Sequence, residues 1–152
     1  MLINVLYVDD EINNLNSFKA SFRRYFSIFL ASSANEALDI LSKNIIHVLI
    51  TDQRMPGTLG TELLERAFKD YPNQIRILLT GYTDLEALKD AVNRGNIFRY
   101  LEKPWNDDEL KKTIEDSFHV YNIKQEQEDL NKKTLLTNEQ LEFMLRQKLS
   151  SL

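Results

Sequence analysis

Five polar side chains stand directly after apolar runs. Asp9 and Asp10 follow residues 2–8, Asp52 follows 48–51, Thr80 follows 75–79, and Lys103 comes just beyond 97–101. Carboxylates brought together repel and raise each other's pKa unless a cation sits among them. An all-oxygen ligand set suits a hard divalent ion, and Mg2+ fits best, because it uses few carboxylates, keeps waters and shares phosphate oxygens. Lys103 adds a mobile point charge and Thr80 a hydroxyl donor. Carboxylate, metal, ammonium and hydroxyl together make a place for a phosphoryl group, whose transfer needs mainly positioning and charge neutralisation. Asp52 is then the acceptor, forming an aspartyl phosphate. No member is specific alone: a lone Asp after a strand is more often a turn residue, and Thr-Gly and Lys-Pro are common loop dipeptides. Five such groups in order at strand ends are hard to get by chance.

That convergence requires the right elements. Residues 2–8 read as a central strand. Ile12, Leu15, Phe18, Phe22 and Phe26 recur three or four apart and predict a helix. Residues 27–31 make a short strand, and Ser33 with Glu36 forms a capping box ahead of Ala37, Leu38, Ile40 and Leu41. Val48, Leu49 and Ile50, preceded by Ile45 and Ile46, suit a strand buried on both faces, and Pro56-Gly57 stops it. Gly60 opens a third helix that ends near Tyr71-Pro72. Residues 75–79 form a fourth strand closed by Thr80-Gly81. Asp84 caps a fourth helix through Leu85, Leu88 and Val92 to a stop at Gly95. Residues 97–101 are the fifth strand, and Asp107 or Asp108 starts a fifth helix through Leu110, Ile114 and Phe118. Strict alternation implies an α/β fold with a parallel sheet covered on both faces. Right-handed crossovers leave few topologies, and of these the expected one is a doubly wound five-stranded sheet of order 2-1-3-4-5, flavodoxin-like, with a helical C-terminal extension. In that order strands one and three are neighbours, so Asp9, Asp10 and Asp52 meet at one sheet edge.

The chain has 152 residues, formal net charge −4, 43% hydrophobic and 28% charged residues. That suits one domain of ordinary size plus an appendage. There is no basic excess to suggest direct nucleic-acid binding. The absence of Cys excludes disulfides, thiolate catalysis and Cys-ligated zinc. His47 and His119 are far apart in sequence and read as structural or surface residues. No run approaches a membrane span, and the apolar N-terminal run lacks the basic flank and length of a signal peptide. The expected setting is cytoplasmic.

With these residues in view, the chain resembles a response-regulator receiver domain of two-component signalling, of the chemotaxis-regulator type, over residues 1–119. The resemblance implies that Asp9 and Asp10 hold the metal with Asp52, and that Asp52, in an Asp-x-x-Met-Pro-x-x-x-Gly run ending at Gly60, takes the phosphoryl group. It implies that the backbone carbonyl of Arg54 completes the Mg2+ shell. Thr80 and Lys103 become the switch hydroxyl and the lysine of the family pattern, Tyr100 the aromatic that turns inward when the hydroxyl engages, and Gly81 the small residue that leaves the site open. A histidine kinase or phosphotransfer protein would supply the phosphoryl group. The response would spread to the face of helix 4, strand 5 and helix 5. The implied chemistry is self-phosphorylation from a donor and slow self-dephosphorylation, with no other enzyme activity. The run 92–105, ending in Lys103-Pro104-Trp105, is similar to receivers attached to cyclic-dinucleotide phosphodiesterases or sensor kinases rather than to winged-helix DNA binders. The rival from another class is a degenerate receiver acting as a phosphorylation-independent interaction module, against which the intact five-group set argues. A phosphatase-type enzyme would need a second acid-base carboxylate where Arg54 stands.

Residues 120–152 differ in composition. Val120, Ile123, Leu130, Leu141 and Met144 keep a loose three-four spacing, with Gln127, Thr134 and Thr137 on the same seam, and Thr137-Asn138-Glu139-Gln140 looks like a fresh cap. One long helix or two are expected, serving as a linker to an output domain or as a homodimer contact, with a solvated tail as the plain alternative. The sequence ends inside a helical pattern with no effector domain, as a fragment would, without itself deciding whether it is one.

Overall fold

The computed structural model describes residues 2–81, 85–93 and 97–150. Strands and helices alternate: β1 (Asn4–Val8), α1 (Ile12–Phe22), β2 (Ser27–Ala31), α2 (Ala34–Lys43), β3 (Val48–Asp52), α3 (Gly60–Asp70), β4 (Ile75–Thr80), α4 (Leu85–Asn93), β5 (Arg99–Glu102) and α5 (Asp107–Ser150). The five strands form one parallel sheet in the order β2-β1-β3-β4-β5, as the alternation predicts. The chain divides into two compact units, Met1–Tyr121 and Asn122–Leu152.

Two apolar layers sandwich the sheet. Val5, Tyr7, Val48, Ile50, Ile77 and Leu79 face Leu15, Phe18 and Phe22 of α1 and Leu110 and Ile114 of α5. Leu6, Val8, Leu49 and Leu78 face Leu41 of α2, Leu63, Leu64 and Ala67 of α3, and Leu88 and Ala91 of α4. The central strands are buried on both sides, which is why their sequences are nearly unbroken apolar runs. Each large side chain withdrawn from water contributes about 1.5–3 kcal/mol. The packed core fixes where each strand ends, and so places the residues just past it.

The local details correct the sequence in several places. Phe26 shares the helical spacing and is buried at 4% exposure, but α1 ends at Phe22, and a turn closed by hydrogen bonds from the Tyr25 and Phe26 amides to the Phe22 carbonyl carries Phe26 back to the core. The Ser33 hydroxyl caps α2 by accepting from the Glu36 amide at 3.2 Å. The Glu36 carboxylate does not return that bond to the Ser33 amide; it accepts from the Ser32 hydroxyl at 2.8 Å. Ile97 is buried but stands outside the ladder, so β5 begins at Arg99, two residues later than the apolar run suggests. Helix α5 starts at Asp107, and its first turn is capped by Asn106, whose Oδ1 accepts from the Glu109 amide at 2.9 Å. The expected cap Asp84 and stop Gly95 lie outside the described residues.

His47 is a core residue. Its Nδ1 accepts from the Asn4 amide at 2.9 Å, and its ring packs edge-on against Phe118 and Tyr121 of α5. Burial pushes its pKa down, which keeps the ring neutral and able to accept that bond. In the second unit, Thr137 does not cap a fresh helix; its hydroxyl donates to the Lys133 carbonyl one turn earlier. Ile123, Leu130, Leu135, Leu136, Leu141, Phe143, Met144, Leu145 and Leu149 are all exposed.

Candidate functional site

The register of the sheet assembles the site. Val8 pairs with Thr51 across β1 and β3, so Asp9 and Asp52, each one residue further on, emerge side by side where the ladders end. Asp52 pairs with Leu79 and Thr80 with Glu102, which sets Thr80 and Lys103 at the same carboxyl edge. This edge is where open α/β sheets bind ligands. Carboxylate oxygens of Asp9, Asp10 and Asp52 lie within 4.8 Å of one another. They are graded in exposure: Asp9 is buried, Asp52 half-buried and Asp10 exposed.

Lys103 bridges two of them. Its Nζ donates to Asp9 Oδ2 at 2.7 Å and sits 3.3 Å from Asp52 Oδ1. The Lys103 amide donates to the Thr80 carbonyl at 2.9 Å, which locks the end of β5 to the end of β4. The Thr80 side chain is buried. Burial would raise the Asp9 pKa, but hydrogen bonds from Lys103, Tyr7 and the Glu11 amide overcome it and hold the carboxyl below its usual range. Asp52 moves the other way: burial, supported by the negative charge of Asp9, pushes it up against the opposing pull of Lys103 and the Gln53 amide. Burial also works against the Lys103 ammonium, but its bonds to Asp9 and the charge of Asp52 raise its pKa overall.

The loop after β3 is tied down at both ends. The Gly60 amide donates to the Gln53 carbonyl at 2.9 Å, and the Thr61 amide donates to Gln53 Oε1 at 2.9 Å. A Cβ on Gly60 would run into the Asp52 carbonyl oxygen, so this position accepts only glycine. Gly57 within the loop has φ of 84°, the left-handed region glycine favours. Arg54 lies on this loop with an exposed side chain. Gly81 has open space around it.

The sequence-predicted residues Asp9, Asp10, Asp52, Thr80 and Lys103 are thus brought to one edge. Tyr100 is not: it stands on β5 beside Leu78 and is 42% exposed. Two participants were missed. The Tyr7 hydroxyl donates to Asp9 Oδ2 at 2.6 Å, and Asn14 Nδ2 donates to the same oxygen at 3.1 Å. The available signal was the i, i+2 relation of Tyr7 and Asp9, which puts both on one face of the strand.

The donor set is all oxygen, and of the three clustered carboxylates only Asp9 and Asp52 are met by Lys103, so the residues present fit a divalent cation such as Mg2+. Among the described residues no helix is long and apolar enough to cross a membrane.

Comparison with known proteins agrees with this geometry. Hydrogenase transcriptional regulatory protein HoxA of Cupriavidus necator is 32% identical over 147 residues, covering 97% of this chain and 30% of that protein. HoxA of Bradyrhizobium diazoefficiens is 30% identical over 124 residues, covering 82% of this chain and 26% of that protein. The chain therefore spans under a third of the curated relatives it matches. A crystal structure described as adenylate cyclase from Rhodopirellula baltica superposes with a TM-score of 0.83 at 34% identity, covering 88% of this chain and 99% of that one. A response regulator receiver domain protein from Clostridium thermocellum superposes with a TM-score of 0.76 at 32% identity, covering 80% and 98%. The family model for the response regulator receiver domain matches residues 5–115, and the chain belongs to that family.

Proposed function

We propose that this chain is a phospho-accepting receiver in which Asp52 takes a phosphoryl group from a histidine kinase or phosphotransfer protein. The observation that carries the reading is the sharing of Lys103 between Asp9 and Asp52 inside a cluster of three carboxylates. Asp9, Asp10, Asp52 and the Arg54 carbonyl would hold Mg2+. When bound, the ion supplies positive charge that draws phosphoryl oxygens in and offsets the charge of transfer. An Asp52 oxygen attacks the donor's phosphorus; the new O–P bond forms as the donor–phosphorus bond breaks, and the donor keeps that electron pair. Lys103, already 3.3 Å from Asp52 Oδ1, then turns from Asp9 to the transferred phosphoryl oxygens. Thr80 engages the same group, and Tyr100, now outward, turns inward behind it. The response reaches the face made by α4, β5 and the start of α5.

The chain's own chemistry is limited to gaining the phosphoryl group and losing it slowly to water. A cytoplasmic setting belongs to the same reading. The relatives' names as transcriptional regulators concern proteins of which this chain spans a minor part, and the acidic balance of this chain lends no support to direct nucleic-acid binding. Incubation with acetyl phosphate and Mg2+ should add one phosphate to the intact chain, in a species cleaved by hydroxylamine as an acyl phosphate is. Omission of Mg2+ should abolish the addition. Stable phosphate on a hydroxyl side chain would overturn the reading, as would failure to label with both acetyl phosphate and a cognate kinase.

Residues 120–152 serve in this reading as a link to an output domain and as a homodimer contact. Ile123, Leu130, Leu141 and Met144 share a heptad seam with Gln127, Thr134 and Thr137, and the apolar members are exposed in the single chain. Sedimentation should find the full chain dimeric and a version ending at Tyr121 monomeric. Two monomers, with or without phosphodonor, would exclude pairing through this helix.

A further inference from the structure

Tyr7 has no place in the chemistry described so far, yet it touches the most buried carboxylate of the site. Its ring is fully buried, stacked on Phe18 at 4.4 Å and edge-on to Trp105 at 5.8 Å. Those contacts ask only for an aromatic ring. The hydroxyl asks for something else, and it donates to Asp9 Oδ2 at 2.6 Å.

The two oxygens of Asp9 are loaded unequally. Oδ2 accepts from Tyr7, from Asn14 at 3.1 Å and from Lys103 at 2.7 Å. Oδ1 accepts from the Glu11 amide at 3.0 Å. A carboxylate offers about two lone-pair sites per oxygen. Oδ2 is therefore saturated by its three donors, and Oδ1 keeps room for another partner.

Lys103 is the donor with a second appointment, since it also stands 3.3 Å from Asp52. If Lys103 leaves for a group on Asp52, Asp9 loses its ammonium while its side chain stays fully buried. An uncompensated buried carboxylate is costly. Tyr7 and Asn14 are the two donors that remain on Oδ2, with the Glu11 amide on Oδ1.

We infer that Tyr7, assisted by Asn14, is a positioning residue that holds Asp9 by Oδ2, so that Oδ1 is presented to a divalent cation and Lys103 is free to move to Asp52. The inference rests on the phospho-accepting reading and adds to it a role for a strand residue that an apolar side chain could otherwise fill.

The test is Tyr7→Phe, which keeps the ring and removes only the hydroxyl. Mg2+ affinity is read by isothermal titration calorimetry, and labelling is followed with acetyl phosphate at saturating Mg2+. Expected are an affinity about tenfold weaker, in keeping with loss of a hydrogen bond to a charged group, a slower labelling rate that added Mg2+ does not restore, and an unchanged circular dichroism spectrum. Asn14→Ala, at a partly exposed position, should weaken Mg2+ binding by a smaller factor, about threefold, as suits its longer bond. Unchanged affinity and rate in a folded Tyr7→Phe chain would overturn the inference and make the hydroxyl a packed group that merely found an acceptor. Should Tyr7→Phe fail to fold, Asn14→Ala decides alone, and wild-type affinity there would overturn it. A wild-type chain that neither binds Mg2+ nor labels would instead remove the reading beneath.

Discussion

An Asp52→Asn chain should take up no phosphate from acetyl phosphate and should melt a few degrees above the wild type in the absence of divalent ions. The first half follows from removal of the acceptor oxygen's charge. The second follows from the direction of the Asp52 pKa, raised chiefly by burial and further by Asp9. A carboxyl whose folded pKa lies above its unfolded value of 3.8 costs stability wherever it is ionised in the fold. That cost is fully present above the folded pKa and disappears below the unfolded one. At neutral pH the wild type bears it and the amide does not. Mg2+ relieves the same cost by supplying a counter-charge, so the ion should raise the wild-type melting temperature more than that of the variant. Scanning calorimetry with Mg2+ and with EDTA measures both. A variant less stable than wild type in EDTA would contradict the electrostatic account, and one that still labels would place the acceptor elsewhere.

Lys103→Met should be the more damaging change to the metal-free fold. It leaves Asp9, whose side chain is 0% exposed, without its ammonium. Breaking a buried pair from one side costs about 3–5 kcal/mol. Relief of the Lys103 ammonium from burial, and the Tyr7 and Asn14 bonds that persist, place the expected loss at the lower end, about 3 kcal/mol. The pH dependence carries a signature. Asp9, held below its unfolded value, contributes stability present above that value and lost as pH falls through its folded pKa. Lys103, raised in the fold, contributes stability fully present below its unfolded pKa of 10.5 and lost as pH rises through the folded one. The alkaline loss should therefore be absent from the variant. Mg2+ should restore part of the lost stability while labelling stays impaired, because the ion replaces the charge but not the mobile donor. Urea unfolding across pH, with and without Mg2+, checks each part. An equal response of wild type and variant to the ion would show that Lys103 and the metal do not answer to the same carboxylates.

The sheet order and the core were legible because parallel strands buried on both faces must be written as apolar runs, and Val48-Leu49-Ile50 can hardly be anything else. Asp9, Asp10, Asp52, Thr80 and Lys103 were legible for the same reason, each standing within two residues of the point where an apolar run stops. Tyr7 was not, because a tyrosine inside an apolar run counts as core, and its hydroxyl finds its partner only when the pleat is built. His47 was half legible: its place in the core could be suspected from the strand it precedes, but the Asn4 amide and the two α5 rings come from distant parts of the chain. Periodicity also ran past real ends. Phe26 continues the spacing of α1 and Ile97 that of β5, since a buried turn residue and a buried strand residue are equally apolar. Asp107 does start α5 as the sequence suggests, but the cap on its first turn comes from Asn106, which the sequence reading did not single out.

Trp105 has an optical consequence. The chain contains one tryptophan, and its indole lies against Tyr7 at 5.8 Å and Phe18 at 5.9 Å while its Nε1 donates to Asp107 at 2.9 Å. All indole emission from this protein thus originates two residues from Lys103 and one ring away from the hydroxyl bound to Asp9. A change in intensity or wavelength has a single address at the edge where the carboxylates gather, and the protein needs no attached dye to report what arrives there.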